Sequence, residues 1–160
     1  MKLRPSQNVV NYDDGPFDPE RLARDLRRTR QIVGGKPQGL WYACGDAWLR
    51  WGDEDQNRVW DGVIPPFTYD VDLDKSKFVV IRSASGMRRF QSAYGVLGTH
   101  RFRPDRAEID WRAVARDYDG IQICPVQPDF SEGWYWGWDV ASGCVWHQRA
   151  IRGVRRIGTG

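Results

Sequence analysis

Tryptophan is concentrated in two short segments, and this feature most strongly limits the folds open to the chain. Its 160 residues include nine tryptophans. Eight of them form two groups, with Trp41, Trp48, Trp51 and Trp60 in the first and Trp134, Trp136, Trp138 and Trp146 in the second. A buried indole is among the largest apolar groups a core can hold, so we expect most of these rings to build the core. Rings beside glycines are also typical of a pocket for a flat ligand such as a base, and both interpretations stay open.

Length and composition indicate one domain. A chain of 160 residues that is 41% hydrophobic buries roughly 70% of its unfolded surface and needs no metal or disulfide to do so. No apolar run approaches the roughly 20 residues of a membrane-spanning helix, and the first residues lack the apolar region of a secretory signal. We therefore expect one domain over residues 1–160, monomeric, cytoplasmic and without a membrane partner.

The basic charge is mild. The net charge of +3 permits a nucleic-acid partner without requiring one. Arginines gather near the end of the chain, at Arg149, Arg152, Arg155 and Arg156. We expect residues from about 150 to 160 to form a flexible basic tail, with a phosphate-contacting arm as the alternative.

The cysteines predict neither a disulfide nor a metal site. Cys44, Cys124 and Cys144 are odd in number and widely spaced, without a CxxC pair or a histidine at ligand spacing. Reduced thiols and the absence of a zinc site are the expectation, in agreement with a cytoplasmic protein.

Local patterns predict short strands mixed with helices. Asp18, Pro19 and Glu20 are typical of a helix start, and Gly34 follows as a stop. Further helices are predicted over 83–94 and 109–118, with one helical turn at 47–51. Strands are predicted near Val9 and over 39–43, 67–73, 77–82 (expected to be central), 121–124, 134–140 and 144–147. The sequence therefore predicts a single α+β domain with about six short strands and three helices.

Several common catalytic motifs are absent. His100 and His147 are the only histidines, and neither lies beside a GxSxG or papain-like nucleophile, so we interpret both as surface or structural residues. The chain has neither GxxxxGK[ST] nor GxGxxG, which disfavours a P-loop nucleoside triphosphatase and a Rossmann dehydrogenase.

Residues 36–43, KPQGLWYA, resemble the nicotinamide-binding segment of ADP-ribosyltransferases. The order of later elements is similar, with a strand at KFVVIR, two helices and a further strand within YDGIQI. The likeness is to small bacterial and phage proteins of that family and covers most of the chain. It implies a split ADP-ribosyltransferase-like β core of short mixed and antiparallel strands, with NAD as the bound cofactor.

The resemblance also implies an NAD site. Gly39 matches the family's glycine, Trp41 its aromatic platform and Tyr42 the second ring of the strand. Either Trp48 or Trp51 would cover the other face of the nicotinamide. The physics agrees, because the nicotinamide of NAD is flat and cationic, and an aromatic face attracts a cation.

Catalytic roles follow from the same resemblance. Gln122 lies near the position of the family's catalytic glutamate, so the resemblance implies Gln122 and Trp41 as the catalytic residues. A glutamine can bond a ribose hydroxyl but carries no charge to stabilise an oxocarbenium-like transition state. Substitute carboxylates would be Asp119, Glu132 or Asp139. The family's first-strand ribose or phosphate contact would be matched by Arg4, with Gln7 as a weaker match.

Three functions therefore remain open. The first is an NAD-dependent ADP-ribosyltransferase of the toxin or phage-effector type, acting on a nucleic acid or a protein in the cytoplasm, or in the host cytoplasm if the protein is phage-encoded. The second is a catalytically inactive relative that binds a nucleotide. The third is a phage or host protein-interaction inhibitor that uses exposed tryptophans and arginines, which are enriched at binding hot spots.

Overall fold

The computed structural model describes residues 8–11, 15–53 and 67–157. These residues form an α+β domain, as predicted. Its strands are β1 (Asn8–Asn11), β2 (Leu40–Cys44), β3 (Thr68–Leu73), β4 (Phe78–Ile81), β5 (Gly95–Val96), β6 (Glu108–Ile109), β7 (Gly120–Ile123), β8 (Ser142–Val145) and β9 (Ile151–Arg156). Its helices are α1 (Pro19–Arg28), α2 (Ala47–Asp53), α3 (Ala84–Tyr94) and α4 (Trp111–Asp117). Within the described ranges, no helix has the length and apolar character needed to cross a membrane.

Seven strands form the main sheet, in the order β4-β7-β8-β2-β1-β3-β9. The pairings are antiparallel except for β4 with β7, which is parallel. β5 and β6 pair separately as a small antiparallel ribbon. The strand predicted at 77–82 is present as β4, but the expectation that it is central is wrong, because β4 lies at one edge of the sheet.

Local capping explains where the helices begin. The Asp18 carboxylate accepts hydrogen bonds from the backbone N–H groups of Glu20 and Arg21, at 2.9 and 3.2 Å. Ser83 and Asp110 cap α3 and α4 in the same way. Such caps satisfy N–H groups that have no partner inside the helix. Four helices are present among the described residues, and not about three, because the predicted turn at 47–51 extends into α2.

The two faces of the sheet bury separate hydrophobic clusters. Successive side chains of a strand point to opposite faces. On β2, Trp41 packs with the cluster that contains Ile121 and Cys144, whereas Tyr42 belongs to the cluster that contains Val145. We call these the tryptophan face and the opposite face. The tryptophan face also buries Trp111, Trp134, Trp138 and Trp146, so four of the eight described tryptophans belong to the core and Trp41 packs against it.

Two predicted elements are wrong. The flexible tail predicted from about residue 150 contains β9, which pairs with β3 from Leu73↔Ile151 to Tyr69↔Arg156. Ile151 and Val154 pack against the core, and β3 supplies hydrogen-bonding groups that the tail satisfies. The strand predicted at 134–140 is instead a 3-10 turn over Gly133–Tyr135 followed by irregular chain.

The prediction of reduced thiols is wrong for two of the three cysteines. Cys44 and Cys124 form a disulfide, while Cys144 is a buried free thiol. The strand register explains the pairing. β2 and β7 flank β8, where Ala43 and Ile123 both pair with Ser142, so Cys44 and Cys124 follow these pairs at the same end of β8. We call this bond the interstrand disulfide.

Candidate functional site

A cavity of about 360 Å³ lies on the tryptophan face beside the end of β2. We call it the tryptophan pocket. Its walls come from three places in the chain: the segment around β2, helix α2, and the loop before β8. The lining residues are Lys36, Trp41, Trp48, Trp51, Gly137, Trp138, Asp139, Val140 and Ser142. A cavity of this size is at the lower end of the range of small-molecule sites, which is roughly 300–1,000 Å³.

The rings of the pocket are held by identifiable contacts. Trp41 and Trp138 meet edge to face with their centroids 4.8 Å apart. The Trp41 indole N–H donates to the Pro37 carbonyl oxygen at 3.2 Å. Trp48 and Trp51 are three residues apart on α2, which places them on the same side of the helix. The pocket therefore has a fixed ring pair on one wall and two helix-borne rings on another.

Lys36 supplies a positive charge to the pocket. Its ammonium lies 5.6 Å from the centroid of the Trp41 ring and donates to the Gly137 carbonyl oxygen. Gly137 has a φ of +73°, a conformation that side chains other than glycine rarely adopt. The glycine thus lets the loop turn so that its carbonyl reaches Lys36.

The indole N–H of Trp138 has no hydrogen-bond partner among the described residues, although it is buried. The side chain of Trp138 is 4% exposed. A buried donor without an acceptor costs about 1–3 kcal/mol. Trp138 lines the pocket with its ring, while its N–H is buried within the structure.

One of the three substitute carboxylates lines the tryptophan pocket. Asp139 is exposed and belongs to the pocket wall. Asp119 instead accepts two hydrogen bonds from Arg149, at 2.8 and 2.6 Å, and this partner holds the pKa of Asp119 below its usual value. Glu132 lines a different cavity, with Arg106 and Trp136. Of the three substitute carboxylates, Asp139 is therefore the one that shares a pocket with the grouped rings.

Gln122 and Tyr42 lie on the opposite face of the sheet, away from the tryptophan pocket. Gln122 Oε1 accepts hydrogen bonds from the Tyr42 hydroxyl at 3.1 Å and from Lys75 Nζ at 2.6 Å. Lys75 also donates to Asn8 Oδ1 at 2.6 Å and lies 5.4 Å from the centroid of the Tyr42 ring. We call these four residues the Lys75 cluster.

Burial controls the protonation of the Lys75 cluster. Burial raises the pKa of Tyr42 and lowers the pKa of Lys75. The nearby positive charge of Arg82 lowers the pKa of Lys75 further. Tyr42 therefore keeps its proton at neutral pH and acts as a donor. The Gln122 side chain accepts both hydrogen bonds, so it links β7 to Tyr42 on β2 and to Lys75 in the turn after β3.

The structure thus brings together only part of the NAD site implied by the resemblance. Trp41, Trp48 and Trp51 share one pocket. Gly39 contacts the backbone of β8 so closely that a Cβ would meet the Val145 carbonyl, and it lines a separate cavity beside α1. Arg4, Gln7 and Trp60 lie outside the described residues. The sequence did not predict Lys36 and Trp138 as NAD ligands. Lys36 is the first residue of KPQGLWYA, and Trp138 belongs to the second group of tryptophans.

The described residues contain no group of three or more His, Cys, Asp or Glu side chains placed to hold a metal ion.

Comparison with known proteins identifies no family for this chain. No protein-family model, curated protein or solved structure matches the chain.

Proposed function

We propose that this protein is an NAD-dependent ADP-ribosyltransferase that binds the nicotinamide end of NAD in the tryptophan pocket and transfers ADP-ribose to a macromolecule. The observation that carries the proposal is the convergence of Trp41, Trp48 and Trp51 on one cavity with a carboxylate in its wall. The resemblance implies Trp41 as the aromatic platform and either Trp48 or Trp51 on the other face of the nicotinamide.

The chemistry of the pocket suits the proposed substrate. The nicotinamide ring is flat and positively charged while it is attached to ribose, and indole faces attract cations. The cavity volume of about 360 Å³ suits the nicotinamide ring and its ribose. The remainder of NAD would extend along the surface.

Lys36 limits how the substrate is placed. Its ammonium already lies over Trp41 and would repel the nicotinamide cation on that ring face. The proposal therefore places the cationic ring against Trp48 and Trp51, with Lys36 directed to the pyrophosphate. An ammonium is a suitable partner for phosphate, since it is a compact charge on a flexible stem.

Transfer requires the glycosidic C–N bond to break. Its electron pair leaves with nicotinamide, which becomes neutral, and positive charge develops on the ribose carbon. The Asp139 carboxylate is assigned to stabilise that charge, since a fixed negative group is most effective where positive charge develops. A nucleophile of the acceptor then bonds to the same carbon and loses its proton to water.

A nucleotide-binding protein without transferase activity is the second candidate. Two observations favour it. The resemblance implies Gln122 near the position of the family's glutamate, and Gln122 lies on the opposite face of the sheet in the Lys75 cluster. Asp139 is exposed, and water weakens the stabilisation that a carboxylate can give.

Two measurements on the same samples test the proposal. Calorimetry measures NAD binding, and chromatography measures nicotinamide release with and without nucleic acid and cell lysate. Trp48→Ala should weaken NAD binding at least tenfold, and Asp139→Asn should lower release at least a hundredfold with little change in binding. Trp136→Ala and Asp129→Asn are matched controls, because Trp136 is 82% exposed, Asp129 is exposed and neither lines the pocket.

The outcomes separate the candidates. Binding without release in any mixture would replace the transferase with the nucleotide-binding protein. The absence of both binding and release would refute the use of the pocket for NAD and would leave the protein-interaction inhibitor. Equal loss in the pocket variants and their controls would show that the pocket is not the site.

A further inference from the structure

A second cavity, of about 540 Å³, lies between the C-terminal end of α1 and helix α4. We call it the basic groove. It is separate from the tryptophan pocket, with which it shares no lining residue. Its lining residues are Leu26, Arg27, Thr29, Arg30, Gln31, Arg112, Ala115, Arg116, Trp146, His147 and Gln148.

The charge of the basic groove is of one sign. Four arginines line it, and none of its described lining residues is acidic. Arg112 is held by Asp110, with hydrogen bonds of 3.0 and 3.2 Å. Arg27 and Arg116 are exposed, and no ion pair joins either of them to a carboxylate of the described residues. Arg30 has no such ion pair either, so three of the four arginines face the groove without a carboxylate partner among the described residues.

Asp119 is an acidic residue near the groove that is already paired. The charge of His147 helps to lower the pKa of Asp119, and Arg149 pairs with both oxygens of that carboxylate. Asp119 is also buried, with 8% of its side chain exposed. It thus removes little of the positive field at the groove.

The positions of the arginines are defined by the fold. Arg112 and Arg116 are four residues apart on α4, so they follow one another along the same side of the helix. Arg27 lies in the last turn of α1, and Arg30 is anchored by its donation to the Arg27 and Thr29 carbonyl oxygens at 3.1 and 2.9 Å. The arginines thus form two rows on the two sides of the groove.

The floor between these rows is rigid and partly apolar. Trp146 is 8% exposed, and its indole N–H donates to the Tyr118 carbonyl oxygen at 2.8 Å. Leu26 and Ala115 extend this floor. A groove with cationic walls and an apolar floor is typical of sites that follow the backbone of a single strand of nucleic acid.

We propose that the basic groove binds single-stranded nucleic acid through its phosphates. Guanidinium groups bond two phosphate oxygens at once, which favours arginine at such sites. A concave groove between two helices admits one strand, whereas a duplex is read by elements that protrude into its own grooves. Binding is independent of NAD; only the further step of assigning the strand as the ADP-ribose acceptor rests on the proposed function.

Fluorescence anisotropy without NAD tests this inference. The probes are a labelled 15-nucleotide DNA strand of mixed sequence and its RNA counterpart, titrated from 50 to 200 mM NaCl. The variant Arg27→Glu/Arg116→Glu reverses two charges in the groove. Arg88→Glu/Arg89→Glu is the control, because it makes the same change at two exposed positions of α3. Circular dichroism establishes that both variants are folded.

The groove variant should bind at least tenfold more weakly than the control. The slope of log K against log salt should fall by about 1.4, since each phosphate contact to a single strand contributes about 0.7. Equal weakening in both variants would overturn the inference, because it would reduce the effect to net charge. Displacement of the strand by polyglutamate at equal charge would also overturn it, in favour of an acidic protein partner. Failure of these tests leaves NAD binding at the tryptophan pocket unaffected.

Discussion

Replacing Gly143 by alanine is expected to destabilise the protein, because the main sheet has no room for a side chain at this position. Gly143 on β8 pairs with Tyr42 of β2 on one side and with Gln122 of β7 on the other. A Cβ at Gly143 would lie closer than 3.0 Å to the Tyr42 ring and hydroxyl. The Tyr42 ring therefore lies over Gly143, and its hydroxyl bonds Gln122 beyond it.

The cost has two parts. Forcing an extra methyl group into a packed core costs about 1–3 kcal/mol. Displacement of the Tyr42 ring would also lose its 3.1 Å hydrogen bond to Gln122, worth about 1 kcal/mol. Together these give about 2–4 kcal/mol, which corresponds to a fall in Tm of roughly 4–16 °C for a domain of this size.

Urea unfolding followed by circular dichroism measures this change, with Gly153→Ala as the matched control. Gly153 lies on β9, and a Cβ there would have no atom within 4 Å. The control should gain about 0.4–1 kcal/mol, because alanine has less backbone freedom to lose on folding. If Gly143→Ala is as stable as the control, the close packing of Tyr42 on β8 is refuted.

Three further predictions concern charges and the disulfide. Gln122→Glu should form an ion pair with Lys75 and raise Tm at pH 7. It should not raise nicotinamide release, because Gln122 lies on the face of the sheet opposite the tryptophan pocket. A higher rate of release would contradict this prediction. The interstrand disulfide joins cysteines that are 80 residues apart. Its reduction should lower the free energy of unfolding by about 4.5 kcal/mol on the chain-entropy model. Urea unfolding curves with and without dithiothreitol measure this loss, and unchanged midpoints would refute the prediction. The folded pKa of Asp119 is below 3.8 because of Arg149, so its stabilisation is present above that pH and lost as pH falls through the folded pKa. Asp119→Asn should therefore reduce the acid-induced loss of stability, and unchanged acid unfolding would refute the pairing.

Elements that depend on neighbours in sequence were predictable. The start of α1 follows from Asp18 and Pro19, because a cap and its N–H partners lie within three residues of one another. β3 follows from alternation over residues 68–73, where one face is buried. The grouping of Trp48 and Trp51 also follows locally, since three residues of helix bring side chains to one side.

What the sequence by itself determined is therefore the class of fold, the start of α1 and the grouping of Trp48 and Trp51. Tertiary structure decided which face each strand residue occupies, and so separated Trp41 from Tyr42 and Gln122. It also decided the pairing of Cys44 with Cys124, 80 residues away, and the place of β9 beside β3. The physical reason is that side-chain direction and strand register are set by hydrogen bonds and packing between segments distant in the chain, and a one-residue change in register exchanges the two faces.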